Sequence, residues 1–425
     1  MKLLHTADLH LGKRLNNFSL LEDQTHILNE ILNIAEEEAV DAVLISGDVY
    51  DKPLPPAEAV RLLDDFLVAL KAQGRKVFMI SGNHDSADRI AFGGRLMENE
   101  GIYLSRAYDG NVNSFTLTDE YGPVRFVLLP FIHASQVRML IPEDERPEKL
   151  TYTEAVKYVL DKALNSDKTA AASGSETAAE KRRVLLAHQL VMGSVTSESE
   201  EITIGGLDQV SAEAFEGFCY TALGHLHRPQ NIAGGKGVIR YAGAPLAYAF
   251  SEADHEKSVT IIELNESGIE KIHERALEPL RRMRTMKGTF SDLMEHTPDG
   301  VSEDDYLHIM LTDEEEISGA FTQLASRYPN LMKLGYDNTR TRAISDLEAL
   351  GTREEKDPLV LLSSFYEEQN GQPLSDRQRD YAERVFRKIF GAADGATEEP
   401  ALENDAPGDT FEDAAAEKNT SEDHT

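Results

Sequence analysis

The chain is poor in the residues that build covalent or thiolate-bound frameworks: its 425 residues include one cysteine, Cys219, and no tryptophan. A single thiol cannot close an intramolecular disulfide and a Cys-based zinc site is excluded, so any metal must be held by His, Asp, Glu or Asn. No stretch approaches the roughly 18 apolar residues of a spanning helix. Met1-Lys2-Leu3-Leu4-His5-Thr6-Ala7-Asp8 reaches a carboxylate too early for a signal sequence, so the cytoplasm is the expected compartment. Bases are scarce as well: 43 Lys and Arg stand against 75 Asp and Glu, a formal charge of -32. Such a chain does not coat nucleic acid unaided, because neutralising phosphates takes clustered Lys and Arg. Residues 396–425 hold ten acids against Lys418 alone, yet the remainder is still acidic. Any DNA contact then has to come from local basic patches, bound divalent cations or a basic partner. The phosphate-cradling G-x-x-x-x-G-K-[ST] is missing too, since Gly234-Gly235-Lys236-Gly237 lacks its spacing and following hydroxyl residue. No ATP hydrolysis is expected of this chain.

What is present is a 41% hydrophobic sequence without internal repeats, long enough for one large domain and smaller ones. Its first half alternates short apolar runs with amphipathic ones, the pattern of α/β layers. Strands are expected at Lys2–Thr6, Ala42–Ser46 and Lys76–Ser81, separated by helices at Gln24–Ala39 and Pro56–Ala72, which implies parallel pairing. Further strands are expected at Phe126–Leu129, Val184–Ala187, Tyr220–Leu223, Ile239–Tyr241 and Ser258–Glu263, with Val156–Leu164 helical. Residues 165–181, small and polar, read as a mobile surface loop. After about Ala276 the texture changes, and Leu280–Phe290 begins a second unit with a strand and helix rhythm through Leu331–Tyr336. Helices are then expected at Ser345–Leu350, Pro358–Glu368 and Ser375–Phe390, ahead of an acidic disordered tail. The basic cluster Arg275, Arg281, Arg282, Arg284 and Lys287 lies where the second unit starts; it could serve phosphate contact or offset acidic surface.

Five short motifs carry the chemistry: Asp8-Leu9-His10; Gly47-Asp48-Val49-Tyr50-Asp51; Gly82-Asn83-His84-Asp85; His188; and Gly224-His225-Leu226-His227. Each is commonplace alone. The first three, however, follow the carboxyl ends of expected strands, where open parallel sheets gather ligands. Alternate residues of an extended segment point the same way, so Asp8 with His10, and His225 with His227, can each reach a common cluster. Glycine at 47, 82 and 224 permits tight turns there. Carboxylate, amide and imidazole together suit Mn, Fe or Zn better than calcium or lone magnesium.

The motif set resembles the metallophosphoesterase superfamily. His5-Thr6-Ala7-Asp8-Leu9-His10-Leu11-Gly12, Ser81-Gly82-Asn83-His84-Asp85-Ser86, Ala222–Gln230, Tyr241–Leu246, Phe250-Ser251-Glu252 and Lys257-Ser258-Val259 are similar, more narrowly, to the SbcD family, the nuclease subunits of bacterial SbcCD complexes. The resemblance implies a β-sandwich flanked by helices at 1–275, a small α+β capping domain at 276–340, a helical partner-binding segment at 341–392 and the tail at 393–425. It implies one metal held by Asp8, His10, Asp48 and His227 and a second by Asp48, Asn83, His188 and His225, with manganese expected at both. His84 is implied as the catalytic histidine; Asp85 is a candidate to orient it or a capping residue. Candidate DNA contacts are Lys13, Arg14, Asn16, Asn17 and Arg89. The implied activity is a 3′–5′ double-strand exonuclease and single-strand or hairpin endonuclease in DNA end processing, recombination and repair. Its implied partner is an SbcC-type ABC ATPase with a coiled coil, met as a homodimer within a heterotetramer; Leu359–Tyr366 and Tyr381, Val385, Phe386, Ile389 and Phe390 are candidate docking faces. A phosphatase or small-nucleotide phosphodiesterase on the same fold, or an inactive scaffold for an ATPase, are the alternatives.

Overall fold

The computed structural model describes residues 1–16, 18–170, 181–197, 200, 208–339, 341–342, 359, 362–363, 366 and 373–390. The expected helices at Ser345–Leu350 and most of Pro358–Glu368, residues 171–180 of the expected loop, Asn17 and the tail lie outside them. In chain order the strands are β1 Lys2–Thr6, β2 Arg14–Leu15, β3 Phe18–Ser19, β4 Ala42–Ser46, β5 Lys76–Ile80, β6 Ile102–Leu104, β7 Asn113–Asp119, β8 Gly122–Leu128 and β9 Arg183–His188. They continue with β10 Tyr220–Gly224, β11 Gln230–Ile232, β12 Val238–Tyr241, β13 Ser258–Asn265, β14 Gly268–Ala276, β15 Met283–Gly288, β16 Tyr306–Leu311 and β17 Leu331–Tyr336.

Two six-stranded sheets form a sandwich, in the orders β14-β13-β1-β4-β5-β6 and β11-β12-β10-β9-β8-β7. Strands β1, β4, β5 and β6 run parallel, as do β8, β9, β10 and β12. Side chains alternate across each strand, so Leu3, Leu44, Phe78 and Ile80 face the other sheet's Phe126, Leu128, Val184, Leu186 and Ala222. The Phe78 and Phe126 rings stack with centroids 4.0 Å apart. The opposite faces of β1, β4 and β5 carry Leu4, Val43, Ile45, Val77 and Met79 against helices α1 Leu21–Glu37 and α2 Ala57–Ala72. Helix α1 buries Gln24, Ile27, Leu28, Ile31, Ile34 and Ala35, spaced as one helical stripe. Burial on both faces explains why the central strands read as continuous apolar runs.

The outer layer of the second sheet is closed by helices Ala134–Leu140 and Tyr152–Ala170. The latter corrects the expectation of a loop from 165: the helix runs to Ala170. Strand β7, unanticipated, is an edge strand paired only with β8, and its alternating exposure leaves it a weak apolar signal. After β14 the strands β15, β16 and β17 form a separate parallel sheet with crossover helices Phe290–Glu295 and Ala320–Arg327. The region expected as α+β is thus a run of parallel β-α-β-α-β units with its own core of Met286, Leu293, Leu307, Ile309, Leu311 and Leu324.

The basic cluster is consumed by ion pairs. Arg275 bonds Glu37 and Glu38; Arg281 bonds Glu22 and the buried Asp23 at 2.7 and 2.9 Å; Arg282 bonds Glu278, Arg284 bonds Asp305 and Lys287 bonds Asp337. Asp23 also accepts from Tyr306 Oη at 2.6 Å. Through Arg281 and Tyr306 the third sheet is tied to helix α1. Residues 342–425 form a second compact unit, in which helix Asp376–Phe390 is described, with Tyr381 exposed. Among the described residues no helix is long and apolar enough to cross a membrane.

Candidate metal centre

The carboxyl ends of five parallel strands, three from one sheet and two from the other, open onto one spot. Asp8 and His10 follow β1, Asp48 follows β4, Asn83 follows β5, His188 ends β9 and His225 and His227 follow β10. The backbone is bent to deliver them. Of the six non-glycine residues with positive φ among those described, four are Asp8 (54°), His10 (43°), Asp48 (46°) and His225 (101°). That conformation is unfavourable for a side chain and persists at sites where the surroundings over-determine it. The three turn glycines are needed chiefly for space. A Cβ on Gly82 would lie 2.1 Å from Asp48 Oδ1, one on Gly47 2.3 Å from His188 Nδ1, and one on Gly224 2.0 Å from the Ser46 carbonyl oxygen.

All seven side chains meet. His10 Nε2 lies 3.2 Å from His227 Nε2. Asp48 Oδ1 accepts the His84 backbone N–H, which leaves Oδ2 facing His188 Nε2 at 3.4 Å, His10 Nε2 at 3.6 Å and His84 Nε2 at 3.9 Å. Asn83 Oδ1 is 3.0 Å from both His188 Nε2 and His225 Nδ1. Asp8 Oδ1 accepts from the His225 amide at 2.8 Å. Ligand atoms of Asp8, His10 and His227, and of Asp8, Asp48 and His188, fall within 4.8 Å of one another. His84 forms a like group with His10 and Asp48. It differs from the other histidines of the cluster, which are buried, in having 23% of its side chain exposed.

The donor set fits divalent cations. His188 Nδ1–H donates to the Ser46 carbonyl at 2.8 Å and His227 Nδ1–H to Glu252 Oε1 at 3.0 Å, so each can offer its Nε2 lone pair inward to a cation. There His188 Nε2 lies against Asn83 Oδ1 and His227 Nε2 against His10 Nε2 at contact distance, while Asp8 Oδ2 and His10 Nδ1 are buried without a hydrogen-bond partner among the described residues. Converging acceptors need positive charge between them. Without a cation protons supply it. Burial penalises a charged His188, yet Asp48 beside it pulls the imidazole up to about 9, and burial raises the Asp8 carboxyl to about 7. Burial and the charge on His188 press His225 down to about 3.

Several residues that hold the ligands are not individually legible in the sequence. Glu252 is fully buried and bonds Lys257 Nζ through Oε2 at 2.6 Å as well as His227. The lysine also donates to the His227 carbonyl at 3.2 Å. This carboxylate–histidine pair fixes the tautomer of a metal-facing imidazole. Gln24 pins the first motif, donating to the His10 carbonyl at 2.7 Å and accepting from Gly12 N–H at 2.9 Å. The Tyr248 ring packs edgewise on His10 and His227. The available signals were the family-like runs Phe250-Ser251-Glu252 and Lys257-Ser258-Val259.

Of the two roles considered for Asp85, orienting His84 or capping, the hydrogen bonds it makes are those of a cap. Its carboxylate accepts from the backbone N–H groups of Val49, Tyr50 and Gly82 at 2.9 to 3.0 Å, which staples the second motif to the third. His84 Nδ1 instead meets the Asp51 carbonyl oxygen at 3.1 Å. Of the candidate DNA contacts, Lys13 is half-buried, paired with Asp51 at 2.7 Å and set over the Tyr248 ring. Arg14 and Asn16 are exposed on the β2–β3 hairpin, and Arg89 is exposed on the short helix Ala87–Ile90 just past the third motif.

Residues 1–199 match the family model described as calcineurin-like phosphoesterase, and 279–370 the one described as type 5 capsule protein repressor C-terminal domain. The chain is 30% identical over 395 residues to the SbcD subunit of the nuclease SbcCD of Staphylococcus epidermidis, covering 92% of this chain and 99% of that protein. Among solved structures, a dimetal phosphatase from Danio rerio is 14% identical with a TM-score of 0.39, covering 66% of this chain and 98% of that one. A Thermus thermophilus protein is 15% identical with a TM-score of 0.35, covering 65% and 98%. With its ligand-bearing strand ends and near full-length likeness to one such subunit, the chain belongs to the SbcD family of calcineurin-like phosphoesterases and is a metal-dependent phosphodiesterase.

Proposed function

We propose that this protein is the DNA-cleaving subunit of an SbcCD-type complex, degrading double-strand ends 3′ to 5′ and nicking single strands and hairpins. The observation that carries the reading is the gathering of seven candidate ligand side chains, with Asp48 facing both His10 and His188, in a chain alike along nearly its whole length to an SbcCD nuclease subunit. Asp8, His10, Asp48 and His227 would hold one ion, and Asp48, Asn83, His188 and His225 the other, with manganese the expected metal. A bound pair of such ions supplies a hydroxide-like nucleophile at neutral pH and offsets charge on the phosphate oxygens.

The remaining work falls to side chains. Asp48 Oδ1 is fixed by the His84 amide and Oδ2 is left for sharing. Glu252 and Ser46 hold His227 and His188 with their Nε2 lone pairs inward. His84 donates Nδ1–H to the Asp51 carbonyl, presents Nε2 beside the cluster and is partly open to substrate. Protonated there, it stabilises charge on the phosphoryl oxygens or protonates the departing oxygen, worth roughly 10²- to 10⁴-fold. His84→Ala is therefore expected to keep its metal and lose cleavage; loss of metal instead would make His84 a ligand.

The domain division follows the same reading: a nuclease domain over 1–275, a cap over 276–340, a partner-docking helical segment over 341–392 and an acidic tail beyond. The exposed Tyr381 on the amphipathic helix Asp376–Phe390 offers a face to the coiled coil of an SbcC-type ATPase. A second copy of the chain completes the expected heterotetramer, with Phe92 and Leu96, 82% and 78% exposed, as available apolar surface. The cytoplasm is the expected compartment. The deciding experiment compares a labelled hairpin duplex with an aryl phosphate, in manganese, with and without the ATPase. Cleavage of the hairpin supports the reading; turnover confined to the aryl ester would make the protein a phosphatase.

A further inference from the structure

We propose that the cavity flanking the Asn83 and His225 side of the metal centre is a binding site for one unstacked nucleobase of the strand being cut, an inference that rests on the nuclease function proposed above. The cavity has a volume of about 700 Å³ and shares Asn83 and His225 with the centre, so a phosphodiester bound there sits at its rim. Its lining is of two kinds. Phe131, Tyr108 and Leu190 supply apolar surface, while Gln189, Tyr152 and Asp208 supply convergent polar groups, the mixture that characterises small-molecule and cofactor sites.

Phe131 is well placed to stack. Its backbone N–H donates to the Ser81 carbonyl at 2.9 Å, which anchors it to the strand end that leads into Asn83. Its ring meets His188 and His133 at interplanar angles of 81° and 86°, and among the described residues no ring lies flat against it. His133 is itself fixed by Tyr152, Nδ1 to Oη 2.9 Å. Asp208 Oδ1 is buried and has no hydrogen-bond partner among the described residues. An orphaned acceptor of this kind is unfavourable, and a ligand that donates to it relieves the cost. The buried Gln189 amide makes only a 3.4 Å contact to the Ile132 carbonyl, so it retains donor capacity. A flat ring to stack, an acceptor wanting an N–H and a donor with capacity to spare match a nucleobase edge and face. Stacking is insensitive to base identity, as a degradative enzyme requires. Extruding a base costs least at frayed ends and hairpin loops, so the pocket also favours those substrates.

The test compares deoxyadenosine 5′-monophosphate with 2-deoxyribose 5-phosphate binding to the full-length, manganese-loaded chain by calorimetry. The wild-type protein is expected to prefer the nucleotide by about 10-fold or more, the scale of one base stack. Phe131→Ala and Asp208→Asn should each shrink that ratio towards one with sugar-phosphate affinity kept, and Phe131→Leu, which preserves apolar volume, should shrink it less than Phe131→Ala. A wild-type ratio near one, an unchanged ratio in both variants, or parallel loss of sugar-phosphate binding would each overturn the proposal. Failure of the hairpin assay in a protein that still shows the preference would sink the nuclease reading and leave the base site standing.

Discussion

Asp48 sits where two sheets meet, and its two oxygens have different duties. Oδ1 is held by a backbone amide, and Oδ2 faces three imidazoles within 3.9 Å. Glu252 is its counterpart behind His227, and the Glu252–Lys257 pair is buried where an ion pair contributes little to stability, which points to positioning as its purpose. Glu252→Gln should weaken manganese binding by roughly 10- to 100-fold, measured by calorimetry, and Glu252→Asp should recover part of the loss. The protonation pattern yields a second prediction. Metal binding must displace the proton that Asp48 holds on His188, bound up to about 9, and the one that burial holds on Asp8, bound up to about 7. Affinity should therefore rise with pH and level off above about 9, with protons released to the buffer. Titrations in buffers of different ionisation enthalpy check this, and proton uptake would contradict it.

At the scale of elements, the third sheet is riveted to helix α1 through Arg281, Asp23 and Tyr306. Removing the buried carboxylate strands two donors at once. Asp23→Ala should cost on the order of 3 kcal/mol in denaturant unfolding, with metal binding retained. By the same pairing Arg282→Ala should leave the salt dependence of DNA binding unchanged, whereas removal of a genuine phosphate partner would lower its slope by about one. This separates what sequence can reveal from what it cannot. The strands β1 and β4 were legible to the residue because apolar runs between turn signals leave little choice, and the clustered side chains drew notice because they stand at or just beyond such strand ends. The role of the arginines was not, because the carboxylates that Arg281 meets, Glu22 and Asp23, belong to a helix and lie 259 and 258 residues earlier in the chain. Glu252 reads in sequence only as family-like context for a similar reason: its meaning depends on His227, which folding alone brings to it. The bonds Asp85 makes were not legible from its place beside His84, because its carboxylate binds backbone N–H groups of two motifs that only folding brings together.

Across the whole molecule, a charge of -32 and a phosphodiester-cleaving centre coexist because the positive charge that meets phosphate is expected at the metal sites rather than spread over the surface. Among the described residues, Lys13 is paired with Asp51 and Lys257 with Glu252, while Arg14 and Arg89 stand on exposed segments that follow the first and third motifs. Substrate affinity should accordingly fall steeply when manganese is withdrawn by chelation. The account stands on two ions sharing one aspartate, and anomalous diffraction at the manganese edge from a manganese-loaded crystal tests that directly. The expected map has two peaks about 3.5–4 Å apart, both bonded to Asp48, one with Asp8, His10 and His227 and the other with Asn83, His188 and His225. A single peak, or a pair of which Asp48 touches only one, would contradict the account.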